Sequence, residues 1–389
     1  MRRTIIIIVI ILVLAAMAVG VYFAWRNSQT ILNPPTTGQT PVVENQRFPS
    51  VSGASSTAAN VQSQTKLRVV SSQPVFDYWL AGASSSPQIY YLNQEGKILR
   101  IQTGPLAMSG AKDEAITTDA VFNIQSVKAT RDGKFVIVKS GDLWSPQFTL
   151  LGVASSTKQA LPNVSAAAFS PKSNQIAYLE RAPNSGVANL LVKDLFGAKP
   201  KVIKITSITA ADFDLSWTEP QKILLVSKPS FEYESQIWSV NIQTKALSLI
   251  GSGRGLMVNW SMDGKTGMVW SEDENRNSSL NLIGDDGSIL ANFDFSTLPA
   301  KCVLSQPKFY CALPQIYNSP LAPILPDDYL KRAVYSEDFI YAIDSAQNSF
   351  EPIFAGSEPA IDATHLEFSG NGLYFINRYD NELYSLDLQ

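Results

Sequence analysis

An all-β fold made of repeated small antiparallel sheets is predicted by three observations. Short strands of period two recur in pairs, such as IAYLE with NLLVKDL (from 176 and 189) and ILLVS with QIWSVNI (from 223 and 236). Asp-Gly, Asn-Gly or Pro signals mark the turns between strands, which is hairpin chemistry. The unit returns seven times between Leu67 and Gln389, at roughly 46 residues each, close to the period of a four-stranded propeller blade. A single four-stranded sheet leaves two apolar faces uncovered, and a ring of such sheets covers them all. The expected architecture is therefore a seven-bladed β-propeller of four-stranded antiparallel blades over residues 66–389.

The first strands of the units read DYWLA (77), SVKATRDGK (126), AAAFSPKSN (166), FDLSWTEPQ (213), VNWSMDGK (258), CVLSQPK (302) and HLEFSGNG (365). Second and third strands follow each of them, from IYYLNQEGKILRI (89–101) to LYFINR with ELYSLDLQ (373 and 382). The seventh unit has no fourth strand, whereas the first is preceded by a spare one, KLRVV (66–70). KLRVV is expected to pair beside ELYSLDLQ, closing the ring and removing an open edge.

The lines AAAFSPKSNQIAY (166–178), DLSWTEPQKILLV (214–226) and VNWSMDGKTGMVW (258–270) resemble the Ser-Pro-Asp-Gly-containing repeats of TolB-type, WD-like propellers. The first and sixth units lack the aromatic-Ser turn, and there is no WD dipeptide. The resemblance implies a periplasmic or extracytoplasmic platform for protein binding.

The N-terminus carries an address of its own. Thr4 to Trp25 (TIIIIVIILVLAAMAVGVYFAW) is free of charge and as a helix would span about 33 Å, enough to cross a bilayer. Arg2 and Arg3 before it against Arg26 after it favour a cytoplasmic N-terminus, with Tyr22 and Trp25 as interfacial anchors. The expectation is a cytoplasmic tip and transmembrane helix over residues 1–26 and a single-pass membrane protein with its propeller periplasmic or extracellular. The competing reading is a signal peptide cleaved after Ala16-Met17-Ala18. Residues 27–65, rich in Ser, Thr, Pro, Gln and Asn, read as a disordered linker with a reach of roughly 35 Å.

Composition narrows function by exclusion. A net charge of -3 without a basic stripe gives no reason to expect nucleic acid. One histidine and two cysteines in 389 residues leave little for metal ligation or histidine-based catalysis, so no cofactor, no metal and no catalytic residues are expected. His365 reads as a structural or surface residue, and G-x-S-x-G, P-loop and Rossmann patterns are absent. EDENRNSS (272–279) resembles half of a calcium loop but lacks the turn glycine and distal glutamate, and so reads as a solvated hairpin loop. The alternative to a binding module is a propeller hydrolase or lyase acting on sugars or lactones, with carboxylates such as Asp212, Asp214 and Asp362, or calcium, at the channel mouth.

Cys302 and Cys311 lie on adjacent strands of the sixth unit, across the short turn in KCVLSQPKFYC. An antiparallel pair can bring them together, and an oxidising compartment favours a disulfide over two buried thiols.

The candidate binding feature is an insertion, PQIYNSPLAPILPDDYLKRAVYSE (314–337), where most such connections take only a few residues. Asp327 and Asp328 are suited to start a short helix through Lys331. Connections between second and third strands open on one face of a propeller, so the insertion should neighbour SKPSFEYES (227–235) and the 271–279 loop. Phe231, Tyr233, Tyr317 and Tyr329 are expected to form an aromatic rim there, with acids nearby, facing a protein or cell-envelope partner. Capping of its own blade is the competing role for the insertion.

Overall fold

The computed structural model describes residues 67–388, apart from 83–86, 103–111, 118, 154, 156, 183–185, 197–198, 210–211, 306–307, 345–348 and 357. The expected membrane segment 4–25 and linker 27–65 lie outside the described residues. No helix among the described residues is long and apolar enough to cross a membrane.

The regular structure of the described residues is almost entirely antiparallel strand, and each sheet is a simple meander except the last, which takes its fourth strand from residues 67–69. Four-stranded sheets span residues 75–115, 124–161, 164–208 and 302–354, and a seven-stranded sheet spans 213–293. The last sheet contains Ala363–Ser369, Gly372–Asn377 and Leu383–Asp387, with Leu67–Val69 as its fourth strand. Leu67 lies opposite Leu386, Arg68 opposite Ser385 and Val69 opposite Tyr384. The spare strand thus takes the place the sequence reserves for it, and this is the closing sheet.

The seven-stranded sheet departs from the expected run of separate units. Its fourth strand, Leu247–Trp260, continues without interruption into the first strand of the next unit. The connecting stretch SLIGSGRGLMV has neither Pro nor Asp to force a turn, and one register shift between Arg254 and Met257 absorbs the change of direction.

Apolar side chains that alternate along the strands meet between sheets. Ala177, Leu179 and Leu190 of the third sheet pack with Leu215, Trp217 and Ile223 of the next. Ala312, Ile340 and Ala342 of the 302–354 sheet pack with Leu373, Phe375 and Leu386 of the closing sheet. Each such side chain contributes about 1.5–3 kcal/mol by leaving water, so neighbouring sheets, rather than strand pairing alone, stabilise each unit.

Meander connectivity sorts the loops into two sets. Second-to-third and sheet-to-sheet connections share one end of the sheets, where Val121 N–H donates to Gly96 O at 2.9 Å. First-to-second and third-to-fourth turns share the other, where Lys222 Nζ lies 2.8 Å from Asp285 Oδ2.

Candidate docking face

The insertion is rooted in two long strands, Phe309–Tyr317 and Ser336–Asp344. Between them the chain folds into one short helix, Asp327–Leu330, with Lys331 at its C-terminal cap. Asp327 Oδ2 accepts the Phe231 N–H at 2.7 Å, and Asp328 Oδ2 accepts the Ile324 N–H at 2.7 Å. Pro326 and Leu325 rest on Gly255, whose φ is +64° and where a Cβ would stand 2.7 Å from Pro326 Cδ. Arg276, in the 271–279 loop, lies 5.0 Å above the Phe231 ring. The three segments expected to be neighbours are therefore in contact.

Their side chains do not all point outward. Tyr329 is buried, donates its hydroxyl to Thr364 Oγ1 at 2.8 Å, and has the Arg378 guanidinium 4.0 Å from its ring centre. Expected on the rim, it instead fastens the insertion to the closing sheet. Tyr317 is half-buried in the core beside Leu313 and Val334, and burial pushes its hydroxyl up to about 12. Phe231 is half-buried beneath Arg276, and of the four aromatics Tyr233 alone is exposed, at 54%. Asp327 and Asp328 are held by the backbone bonds above.

The insertion presents four aliphatic side chains to solvent, Ile316, Leu321, Ile324 and Leu330, 41–78% exposed, among the exposed polar residues Asn318, Lys331, Arg332 and Glu337 and with Tyr379 of the closing sheet at 40%. Ile316 was legible as the residue facing away from Tyr317, since neighbours in a strand point to opposite sides.

Beneath the insertion lies a buried charge network that the sequence reading missed apart from Asp362. Lys301 Nζ contacts Asp338 Oδ2 at 2.6 Å and Asp362 Oδ1 at 2.5 Å, and Arg378 contacts Asp362 Oδ2 at 2.7 Å. Arg378 also donates to Tyr329 O at 2.8 Å. All four charged side chains are at most 3% exposed. Burial opposes the charge on Lys301, and the Asp338 and Asp362 carboxylates outweigh it, holding the ammonium above its ordinary range. The signal was in the register: Ser336 and Asp338 fall on the same side of their strand as buried Ile340 and Ala342.

Cys302 and Cys311 are direct cross-strand partners joined by a disulfide, with Cα atoms 4.2 Å apart. That spacing belongs to a non-hydrogen-bonded pair, in which side chains approach closest.

The first strands line a central cavity of about 1310 Å³. On its wall His365 sits between Asp77, bonded to Nδ1, and Glu367, 3.5 Å from Nε2. Asp214 is paired with Lys128 at 2.6 Å, and Asp212 lies 3.8 Å from Arg181. The three acids named for a hydrolase or lyase are thus each engaged by a cation. In the 272–279 loop, Asp273 Oδ1 accepts the N–H groups of Asn275 and Asn277 at 2.8 and 2.9 Å, so its oxygens serve its own turn. Among the described residues no group of three or more His, Cys, Asp or Glu is placed to hold a metal ion.

No protein-family model matches this sequence, and neither does any curated protein. Solved structures do match in shape. The β-propeller domain of Swd1 from Myceliophteria thermophila aligns with 83% of this chain and 100% of its own, at 9% identity and a TM-score of 0.51. An oligogalacturonate lyase from Vibrio parahaemolyticus aligns with 84% of this chain and 97% of its own, at 9% identity and a TM-score of 0.52. A putative TolB from Agrobacterium tumefaciens aligns with 59% of this chain and 89% of its own, at 16% identity and a TM-score of 0.38. Identities this low speak to fold and not to activity. The chain has the fold of a β-propeller built from four-stranded antiparallel sheets.

Proposed function

We propose that this protein is a membrane-anchored, extracytoplasmic recognition module. Residues 4–25 hold it in a bilayer with the N-terminus cytoplasmic, and the propeller lies in the periplasm or outside the cell. Dividing the seven-stranded sheet at the bend within Leu247–Trp260 gives two blades that share one strand, and with the other five sheets this makes seven. The partner, a protein or another envelope component, docks on the face bearing residues 227–235, 271–279 and 314–337.

One observation carries this reading. The insertion uses Asp327 and Tyr329 to fix itself to neighbouring sheets and Asp328 to brace its own turn, while Ile316, Leu321, Ile324 and Leu330 remain in water. A segment pinned so firmly and still exposing aliphatic side chains has the composition of a preorganised contact surface. The ion-paired state of Asp212, Asp214 and Asp362 gives no matching support to hydrolysis or lysis.

The test is proximity labelling from the full-length protein in its own membrane, compared with Leu321→Asp combined with Tyr233→Ala. Both side chains are exposed, so folding is preserved. Loss of a discrete set of labelled neighbours supports docking at this face. An unchanged set in a variant with normal abundance and melting overturns it.

A further inference from the structure

The end of the sheets that carries the insertion carries a second apolar feature, on the 124–161 sheet. Phe122, Leu143 and Trp144 are 74%, 75% and 90% exposed. The segments that carry them are joined: Asn123 O accepts the Gly141 N–H at 2.9 Å, linking the strand that follows Phe122 to the strand that ends before Leu143. Gln125 Nε2 adds a bond to Gly141 O at 3.0 Å.

Leu143 and Trp144 occupy the tip of a tight turn between Gly141 and Pro146, which face each other across the hairpin. Asp142 Oδ1 accepts the Trp144 N–H at 2.8 Å and Asp142 O accepts the Ser145 N–H at 3.2 Å. The turn is thus internally braced, and its one carboxylate is directed back at its own backbone. The result is a convex, rigid knob with a tryptophan at its summit. It is not a groove, and no described side chain packs over it.

We propose that this knob enters the interfacial region of the bilayer that holds residues 4–25. The inference rests on the anchor reading above. Three points select lipid over a folded partner. A protruding apolar tip needs a medium that yields to it, and the bilayer interface does so without a matching pocket. Tryptophan has an apolar body with one N–H donor, the combination that settles at the headgroup level, and Leu and Phe supply the apolar depth. The chain's own charge-free stretch would hold the knob at high effective concentration beside a membrane, so that a contact too weak to bind by itself becomes populated.

Reach permits this. The closing strand Leu67–Val69 begins at the end of the sheets opposite the knob, so the linker must pass one blade height. A seven-residue strand is roughly 23 Å long, within the roughly 35 Å mean reach of residues 27–65. Contact by the knob turns the insertion toward the membrane as well, so the partner recognised there would lie at or in that bilayer.

The experiment uses the full-length protein in phosphatidylcholine vesicles, with an environment-sensitive fluorophore on Leu143→Cys. Because Cys302 and Cys311 are bonded to each other, the introduced thiol is the one that reacts. Met262→Cys, also exposed at 74% but on a turn at the opposite end, is the control. The expected result is a blue shift and quenching by spin-labelled lipid at position 143, absent at 262 and unchanged in high salt. Vesicle flotation with a water-like signal at 143 overturns the knob proposal and leaves the anchor standing. Failure to float, with a water-like signal, removes both. Equal lipid signals at 143 and 262, or loss of the signal in salt, overturn the proposal as non-specific adsorption.

Discussion

His365 Nδ1 donates to the Asp77 carboxylate across the seam where the sheet beginning at Val75 meets the closing sheet. The same seam is tied by Tyr78, whose hydroxyl donates to His365 O at 2.8 Å or Tyr374 O at 2.9 Å. His365 has a left-handed backbone, φ +51°, at the register shift between Thr364 and Glu367. Sharing one seam, these contacts let a single imidazole report on ring closure.

Burial works against the imidazolium, and the Asp77 carboxylate, with Glu367, outweighs it, raising His365 well above its ordinary value. A raised folded-state value means the native state holds the proton more tightly than the unfolded chain. The stabilisation is therefore complete below about pH 6.5 and is lost as pH rises through the native value. The side chain is 39% exposed, so screening limits the contribution to about 1 kcal/mol or less. His365→Gln should abolish that pH slope in urea unfolding of the full-length protein. Because the chain has one histidine, its imidazole NMR signal can be titrated without assignment. A native value near 6.5 would contradict the ion pair.

Ring closure itself should be costly to remove. Replacing residues 66–71 with Gly and Ser takes away Leu67 from the core of the closing sheet and exposes the edge of Leu383–Asp387. The unfolding temperature is expected to fall by several degrees, since each kcal/mol lost moves a large domain by about 2–4 °C. Unchanged melting would mean that the terminal pairing adds nothing to stability.

How much of this fold is legible in the sequence follows from what a sequence encodes locally. Period-two alternation and turn residues reveal most strands, and the count of strands at the two ends of the repeat region reveals the closing pair. Cys302 and Cys311 could be matched because a short turn fixes the register of the strands that carry them. The long strand Leu247–Trp260 was hidden because a merged boundary looks like two strands with a glycine-rich join. From its own segment Tyr329 reads as an outward residue, because the partners that bury it, Thr364 and Arg378, arrive from another sheet. The same is true of Lys301: its anionic partners Asp338 and Asp362 come from distant strands, and nothing local to LPAKCV predicts them.

The network around Lys301 yields the largest predicted loss. Lys301→Met leaves Asp338 and Asp362 buried with one fewer cation, although Arg378 still holds Asp362. Breaking a buried pair by removing one partner typically costs about 3–5 kcal/mol. Denaturant unfolding should show a midpoint shift of that size, against little change for Lys308→Met, whose pair with Glu351 is on the surface. Equal small effects for the two variants would show that water reaches the network.

Removing the disulfide with Cys302→Ser and Cys311→Ser should cost less. The loop it closes is short, and the chain-entropy model assigns such a loop about 2–3 kcal/mol. The double variant should keep its fold and melt earlier. Alkylation of the unreduced, denatured wild type should leave its mass unchanged, and a gain of two labels would refute the bond.

Glu272 offers a stabilising substitution. It ends the strand Thr266–Glu272, and its Oε2 is buried without a hydrogen-bond partner among the described residues. Burial pushes its carboxyl up to about 6, although nearby Arg276 pulls the other way. A carboxyl raised in the native state binds its proton more tightly when folded, so native stability declines as pH climbs from about 4.3 through 6 and then levels off. Glu272→Gln removes the charge without removing the side chain. The variant should match the wild type near pH 4 and exceed it in denaturant midpoint at pH 7 and above. A wild-type advantage at pH 7 would mean that the carboxylate has a partner in solution, supplied by Arg276 or by Arg254, its cross-strand neighbour.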